Sequence, residues 1–300
     1  MNMFNQSLLS KDKSKSTIIN KYISKINCCF HTTYSFLGIK IKIRFHKKHK
    51  KTVNILLDPQ SGIGNRIFGI INSLNYFTPD VLNIYWDTTN WVNCRLKDIF
   101  NIETSTQINE YNSADFIENT DKDAFTILSP TSGLRNNYGK SISLMYQNTS
   151  HKDILSLAPL FQKIKPSKKV IERMESLPQN IDYALQIRNN KDWGDFGRNE
   201  NIELFFDELR KLPKDSKVYI SAMSKEVSDE VKKHFGNMII ELPDKDYSSM
   251  IDAAADMYML SRARNGIYSY GSTFSELAFW LGGAKQNVVT VGSEKNWKYN

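Results

Sequence analysis

The 300-residue sequence is poor in the residues that build metal centres and disulfide frameworks. Its three cysteines, Cys28, Cys29 and Cys94, form neither a disulfide framework nor a CxxC pair of the kind that binds zinc. Its five histidines are scattered and include no HxxxH pair. The sequence therefore predicts no metal site.

Long apolar runs are also missing. No run of 18 apolar residues occurs, and histidine, threonine and serine interrupt the apolar segment at residues 26–43. That segment also lacks the compact apolar core and small-residue cleavage site of a signal peptide. These absences predict a cytoplasmic protein.

Positive charge is confined to one end of the chain. Residues 1–52 hold twelve of the 40 Lys and Arg residues but only one of the 32 acidic residues, Asp12. This arm therefore carries a net charge of +11, whereas the other 248 residues carry −3. The chain consists of a basic arm and a slightly acidic body.

The arm ends in the dense basic run KIKIRFHKKHKK, residues 40–51. The preferred interpretation is a solvated, partly disordered extension. A second is contact with anionic lipid headgroups, where each basic residue adds roughly 1 kcal/mol. That interpretation would make the protein peripheral at the inner membrane surface. A third is phosphate contact with nucleic acid, but no recognition-helix pattern supports it, so no nucleic-acid partner is expected.

From residue 53 onward, strand-like runs alternate with amphipathic helical runs. Strands are predicted over residues 53–57, 81–86, 182–188, 217–223, 237–242, 265–270 and 287–292, and helices over 166–177, 201–212, 224–236, 250–263 and 272–283. Residues 101–150 are polar and weakly periodic, which predicts long loops or an interdomain region. The alternation indicates an α/β fold with parallel sheets, in which ligands bind beyond the carboxyl ends of the strands.

The stretch YGSTFSELAFWLGG, residues 270–283, follows one of these strand ends. Gly271 permits a tight turn, after which Ser272 or Thr273 caps a helix whose first N–H groups could hold a phosphate. The alternative is a self-satisfied helix start, because Thr273 and Glu276 have the spacing of a capping box. Physical reasoning leaves both interpretations open.

The stretch LLDPQSGIGNRIFG, residues 56–69, also joins a strand to a helix. Gly62 and Gly64 match two positions of the dinucleotide fingerprint GxGxxG, but Ile67 occupies the third. Asp87, at the end of the next strand, could contact a ribose. A nicotinamide or flavin enzyme is therefore one alternative.

Asn65 and Arg66 are unusual residues at a helix start. An arginine there is opposed by the positive end of the helix dipole. A specific polar role for Arg66 is therefore expected.

The stretch ALQIRNNKDWGDFGR, residues 184–198, carries several charges just beyond a strand. Arg188 is placed for a bidentate grip on a diphosphate. The alternative for the charges that follow it is a solvated loop. The two Asp-Lys-Asp triplets, residues 121–123 and 244–246, are interpreted as surface loops.

Taken in order, three motifs resemble the fucosyltransferase superfamily that includes bacterial nodulation α-1,6-enzymes, protein O-fucosyltransferases and plant cell-wall enzymes. The first is GIGNRIFGIINSL, which resembles the family's GxGN[QR][LI] segment. The second, QIRNNKDW, resembles its His-x-Arg donor motif, with Gln186 in place of histidine as in the plant branch. The third, DMYMLSRARNGIYSYGSTFSELAFWLGG, resembles its last motif.

The resemblance implies a GT-B-type, metal-independent, inverting glycosyltransferase that needs no cofactor and takes GDP-fucose as donor and a glycan or glycolipid as acceptor. Arg188 would neutralise the leaving diphosphate, and Asp192 is chosen as the general base. The donor-side residues would be Gly271, Ser272, Thr273, Phe274, Asp256 and Ser224. The residues across the cleft, near the sugar or acceptor, would be Gly64, Asn65 and Arg66.

The implied organisation has three parts: a basic arm at residues 1–52, an acceptor-side lobe at 53–165 and a donor-binding lobe at 166–300. Two further alternatives stay open beside the oxidoreductase. One is a transferase of the same fold that uses another nucleotide sugar. The other is a nonenzymatic nucleotide- or glycan-binding protein with a degenerate site.

Overall fold

The structure, a computed structural model, describes residues 29–36, 39–46, 51–57, 59, 61–116, 125–128, 158–188 and 201–292. The chain divides into two compact units, Met1–Lys50 and Lys51–Asn300. Asp192 lies outside the described residues, as does the triplet at 121–123.

The first unit contains an antiparallel hairpin of strands β1 (Cys29–Phe36) and β2 (Ile39–His46). The register pairs Phe36 with Ile39 at the turn and Cys29 with His46 at the open end. The alternation of apolar and basic residues in IKIKIRF has the two-residue period of a strand. This period is consistent with the hairpin, whereas the density of basic residues alone favours a solvated, partly disordered extension.

The second unit begins with a four-stranded parallel sheet. Its strands are β3 (Thr52–Leu56), β4 (Val81–Tyr85), β6 (Gln107–Tyr111) and β7 (Phe125–Leu128), in the order β6-β4-β3-β7. Between β4 and β6, strand β5 (Phe100–Ile102) pairs with β8 (Ile164–Pro166) in a separate two-stranded sheet. The expectation of loops over residues 101–150 is therefore wrong for β6 and β7. Strand β6 is too polar for its periodicity to be read from the sequence, and β7, with four residues, is too short.

A five-stranded parallel sheet follows. Its strands are β9 (Tyr183–Ile187), β10 (Val218–Ala222), β11 (Ile239–Ile240), β12 (Asn265–Ser269) and β13 (Asn287–Val291), in the order β11-β10-β9-β12-β13. The order reverses between β9 and β12, so the carboxyl ends of these two strands flank a topological switch point, where ligands bind in such sheets.

Eight α-helices connect and cover these sheets within the described ranges. They are α1 (Ile63–Phe77), α2 (Leu96–Ile99), α3 (Ala158–Phe161), α4 (Lys168–Met174), α5 (Ile202–Arg210), α6 (Lys225–Phe235), α7 (Met250–Arg262) and α8 (Thr273–Leu281). Short 3-10 turns occupy Ser113–Phe116 and Gly236–Met238. None of these helices is long and apolar enough to cross a membrane.

One buried apolar cluster joins α1, α3 and α8. The ring of Phe161 stacks on Trp280, with 5.0 Å between ring centroids, and meets Phe68 edge-on at 5.5 Å. Burying aromatic rings against one another contributes much of the stability of such a core. The packing places α1, which follows the first sheet, against α8, which belongs to the second.

Candidate functional site

A cleft of about 360 Å³ lies beyond the carboxyl ends of β9 and β10 and beside the N-termini of α1 and α8. Predicted site residues that line it are Gly64, Asn65, Arg188, Asp256, Ser272, Thr273 and Phe274. Arg66, Ser224 and Gly271 are not part of its lining. The tertiary structure thus brings the N-terminal glycine motif and the two donor-side motifs together.

Helix α8 begins in the cleft without a side-chain cap. Gly271 adopts a φ of 70°, a left-handed conformation that lets the chain turn sharply from β12 into the helix. Ser272 is the N-cap residue, yet its side chain accepts no hydrogen bond from the helix. Its hydroxyl is buried and has no hydrogen-bond partner.

The capping-box interpretation of this helix is wrong. Because the helix begins at Thr273, Glu276 is its fourth residue and is not placed to bond back to the cap. Glu276 is instead buried, where its Oε1 accepts a hydrogen bond from Trp280 Nε1 at 3.3 Å. Neither the Ser272 side chain nor a capping box therefore caps the first turn of α8.

Helix α1 begins at the same cleft, also without a side-chain cap. Its N-cap residue is Gly62, and its first turn contains no acidic residue. The two helix starts are in close contact, since a Cβ built on Gly64 would lie 2.5 Å from the carbonyl oxygen of Thr273. The first N–H groups of an α-helix have no partner within the helix, so two N-termini without a side-chain cap, each with a positive dipole end, favour an anion between them.

In the part of the chain that the structure describes, three buried polar atoms of the cleft wall have no hydrogen-bond partner. They are Asn65 Oδ1, Gln186 Oε1 and Ser272 Oγ. Leaving a buried polar atom unpaired costs about 1–3 kcal/mol, so water or a ligand in the cleft is expected to satisfy these three atoms. Gln186, which the sequence marks only as a departure from the family's histidine, is a residue of the cleft wall.

Arg188 stands just beyond the end of β9 and lines the cleft. Its backbone N–H donates to Ser269 Oγ at 2.7 Å, which ties this strand end to β12. The strand end is thereby fixed beside the start of α8. An arginine at this position can deliver a bidentate contact to an anion held by the helix N-terminus.

Arg66 does not contact the cleft, which corrects its predicted place near the acceptor. It is 1% exposed, and its guanidinium donates to the carbonyl oxygens of Ser61 at 2.9 Å, Asp87 at 2.6 Å and Pro59 at 3.0 Å. The guanidinium carbon also lies 4.9 Å from the centre of the Trp86 ring. The polar role expected of Arg66 is to hold the turn before α1 against the end of β4.

Ser224 is the N-cap residue of α6, and its Oγ accepts a hydrogen bond from Val227 N at 3.4 Å. Its predicted role in donor binding stays a prediction. The neighbouring Met223 lines the cleft.

Asp87, the ribose contact of the oxidoreductase alternative, is also engaged elsewhere. Its Oδ1 accepts from the backbone of Ser113 at 2.8 Å, its Oδ2 accepts from the Ser113 hydroxyl, and it does not line the cleft. The acidic group that a dinucleotide site would need is thus used in loop packing.

Asp256 is buried in the cleft wall, and both of its carboxylate oxygens are occupied. Tyr219 donates to Oδ1 at 2.6 Å, and Ser221 and Lys245 donate to Oδ2 at 2.7 Å each. Burial raises the pKa of Asp256, and the Lys245 ammonium and the two hydroxyls oppose that shift. These three hydrogen bonds occupy most of the roughly four acceptor positions of the carboxylate, so Asp256 has at most about one left for a base or ribose.

The sequence did not indicate that Lys245 and Trp91 belong to the cleft. Lys245 belongs to a triplet interpreted as surface, but its side chain is only 5% exposed and lines the cleft. Trp91, from the loop after β4, is 46% exposed and presents an aromatic face on the first sheet's side of the cleft. No local pattern distinguishes either residue, because neighbours distant in the chain decide its surroundings.

Within the described ranges, no group of three or more His, Cys, Asp or Glu residues is arranged to hold a metal ion. The described carboxylates that line the cleft are Asp246 and Asp256. Asp246 accepts hydrogen bonds from the hydroxyl and backbone of Ser248, which lower its pKa. A carboxylate with a lowered pKa is a weak base, which disfavours Asp246 as the general base. Asp192 lies outside the described residues, so its role as the base stays a prediction.

We expect Gly64→Ala to disturb the contact between α1 and α8. The added Cβ would meet the Thr273 backbone, which cannot move without shifting α8, so the free energy of unfolding should fall by about 1–3 kcal/mol. Gly62→Ala is the matched control, because a Cβ there meets nothing within 4 Å and should change stability by less than about 0.5 kcal/mol. Chemical denaturation measures both, and equal stability of the two variants would contradict the close approach.

Comparison with solved structures identifies the fold. The structure superposes on fucosyltransferase NodZ from Bradyrhizobium with a TM-score of 0.53 and 13% identity over 83% of this chain and 97% of that one. It matches a mutant of Arabidopsis thaliana FUT1 in complex with GDP with a TM-score of 0.50 and 14% identity over 81% and 71% of the two chains. It matches POFUT1 in complex with GDP with a TM-score of 0.50 and 9% identity over 81% and 99%.

No protein-family model matches the sequence, and no curated protein matches it either. The likeness is therefore one of structure. It confirms the mixed α/β, GT-B-like fold predicted from the three motifs.

Proposed function

We propose that this chain is a glycosyltransferase that moves fucose from GDP-fucose to a hydroxyl group of a glycan or glycolipid. The observation that carries the proposal is the cleft itself, where three buried, unpaired polar atoms and Arg188 surround two uncapped helix N-termini. A diphosphate would satisfy the helix donors and Arg188, and sugar or nucleoside groups would satisfy the unpaired atoms. NodZ has been crystallised with GDP and soaked with GDP-fucose, and POFUT1 with GDP, which supports this choice of donor.

The proposed reaction is a single displacement. The acceptor's hydroxyl oxygen attacks the anomeric carbon, the bond from that carbon to the diphosphate oxygen breaks, and its electron pair leaves with GDP. The hydroxyl proton passes to a base, for which Asp192 is our candidate. Attack from the face opposite the diphosphate inverts the anomeric configuration.

In the proposed reaction, groups of the protein stabilise the negative charge of the departing diphosphate. Positive charge builds on the sugar while negative charge builds on the departing diphosphate. Arg188 and the N-terminus of α8 are preorganised against that negative charge, which is the role a metal ion plays in other transferases. The proposal therefore needs no metal and no cofactor.

On the other side of the cleft, Asn65 and Trp91 are placed to receive the sugar or the acceptor. The unpaired Asn65 Oδ1 can accept a hydrogen bond from a hydroxyl group. The exposed ring of Trp91 offers the apolar surface on which the C–H face of a sugar ring packs. The membrane contact predicted for the basic arm stays a prediction.

Calorimetric titration with GDP, UDP, CMP and NAD tests the proposed donor. We expect GDP to bind and the other three to bind at least tenfold more weakly, or about 1.4 kcal/mol less favourably. Transfer of radiolabelled fucose from GDP-fucose to a glycan mixture then tests the reaction. Preferential binding of UDP or CMP would indicate a transferase of the same fold with a different nucleotide-sugar donor. Preferential binding of NAD would favour the oxidoreductase alternative. If none of the four nucleotides binds, a nonenzymatic protein with a degenerate site would be favoured.

A further inference from the structure

The side chain of Lys245 is a buried cation in the wall of the cleft. It comes from the loop between β11 and α7 and is only 5% exposed. Lysine is almost never buried to this extent unless it is paired. Its position therefore requires an explanation from its surroundings.

The loop is clamped on both sides of Lys245. Before it, Arg173 Nη2 donates to the carbonyl oxygens of Pro243 at 2.5 Å and Asp244 at 3.0 Å. After it, the backbone N–H of Asp246 donates to Asp252 Oδ2 at 2.8 Å. Arg173 and Asp252 are themselves paired, at 2.7 Å between Nε and Oδ1, so one ion pair holds both flanks.

The backbone before Lys245 adopts an uncommon conformation. Asp244 has a φ of 45°, in the left-handed region that residues other than glycine seldom occupy. Such conformations persist where the surrounding contacts hold them, and they are concentrated at functional sites. Here the Arg173 contacts supply that restraint and direct the next residue into the cleft.

The ammonium group is held by an acceptor pair at the cleft wall. Lys245 Nζ lies 2.7 Å from Asp256 Oδ2 and 3.3 Å from the carbonyl oxygen of Ala222. It also lies 3.8 Å from Glu241 Oε1, beyond hydrogen-bond distance, and 4.5 Å from the centre of the Tyr247 ring. Two of the three ammonium protons thus have acceptors, and a ligand in the cleft could accept the third.

A buried ion pair of this kind is a poor source of stability. Removing two charges from water costs about as much as their attraction returns, and apolar replacements are often neutral. The arrangement instead keeps a positive charge fixed in a partly dehydrated cleft that also contains Arg188 and the start of α8. Because Asp256 Oδ2 lies 2.7 Å from the ammonium, the pair is neutral as a whole, and Lys245 would act on an anion at short range, through a hydrogen bond from its ammonium.

We propose that Lys245 is a second donor-binding cation, which contacts the diphosphate of the nucleotide sugar, and that Asp256 is the positioning residue that holds its ammonium. The inference rests on the proposed function, because it assigns another contact to the same donor. A lysine suits this task as a compact point charge, whereas Arg188 can grip two oxygens at once. Tyr219 and Ser221 donate hydrogen bonds to Asp256 and so orient the carboxylate that holds Lys245.

The test compares the binding of GDP and guanosine to wild type, Lys245→Met and the double variant Lys245→Met/Asp256→Asn. Removing a charged hydrogen-bond donor should weaken GDP binding about 10- to 100-fold. Guanosine, which lacks the diphosphate, should bind all three proteins alike. In Lys245→Met alone, the buried Asp256 carboxylate loses its cation, which could destabilise the fold. The double variant also removes the charge of Asp256, so weaker GDP binding by this variant would reflect loss of the Lys245 cation rather than damage to the fold.

Lys211→Met is the matched control, because Lys211 pairs with Glu208 at an exposed position outside the cleft. It should bind GDP as wild type does. Unchanged GDP binding by Lys245→Met overturns the inference and leaves the proposed function intact, as does an equal loss of GDP and guanosine. Failure of the wild type itself to bind GDP overturns both.

Discussion

Replacing Arg188 with alanine should abolish measurable sugar transfer and weaken GDP binding. Arg188 lines the cleft beside the N-terminus of α8. Its backbone N–H donates a hydrogen bond to Ser269 Oγ at 2.7 Å. A preorganised donor aimed at charge that develops in the transition state contributes about 10²- to 10³-fold in kcat. Its contact with the bound diphosphate should contribute about 10- to 100-fold in affinity.

The measurements are single-turnover transfer from labelled donor and titration with GDP. Arg188→Lys keeps the charge but loses the bidentate geometry, so it should recover part of the affinity and less of the rate. Arg210→Ala is the matched control, since Arg210 is an exposed residue of α5 paired with Glu203 and Asp207. Full activity and unchanged GDP affinity in Arg188→Ala would refute the site.

Replacing Arg66 with alanine should have the largest effect on stability. The change leaves the carbonyl oxygens of Ser61, Asp87 and Pro59, which lie in a partly buried region, without their donor. The cost is about 1–3 kcal/mol for each one that water cannot reach. The change also opens a cavity beside Trp86. We expect the lost hydrogen bonds and the cavity together to cost about 3–5 kcal/mol.

Thermal unfolding measures this loss, which corresponds to a fall in Tm of at least about 6 °C for a body of some 250 residues. Arg66→Lys should be nearly as unstable, because a single ammonium cannot replace three separate guanidinium contacts. Variant protein that remains folded at low temperature should bind GDP as wild type does. A variant with wild-type Tm but impaired transfer would instead restore Arg66 to the acceptor side.

Most of the strand and helix order could be predicted because its signals are local. The apolar run of β9 and the amphipathic pattern of α5 lie within short segments, and period and composition decide them. Strand β6 is not evident from the sequence because three of its five residues are polar and none of them is fully buried. For such a strand, pairing with β4 decides the structure rather than its own composition.

The candidate site was predictable to a different extent for each residue. Arg188 and Ser272 follow strands at positions where parallel sheets bind ligands, so topology alone placed them near a cleft. Arg66 was assigned a polar role correctly but a wrong location. Its partners Ser61 and Asp87 lie 5 and 21 residues away in the chain, and no pattern in the sequence records that they converge on it.

By itself, the sequence determined the α/β class, the order of most elements and the three motifs that mark the cleft, because each depends on residues close together in the chain. Tertiary structure alone decided that Lys245 is buried beside Asp256 and that Asn65, Gln186 and Ser272 keep unpaired atoms in one wall. The physical reason is that burial and hydrogen-bond satisfaction are properties of a neighbourhood. That neighbourhood is assembled from two sheets only when α1 packs against α8.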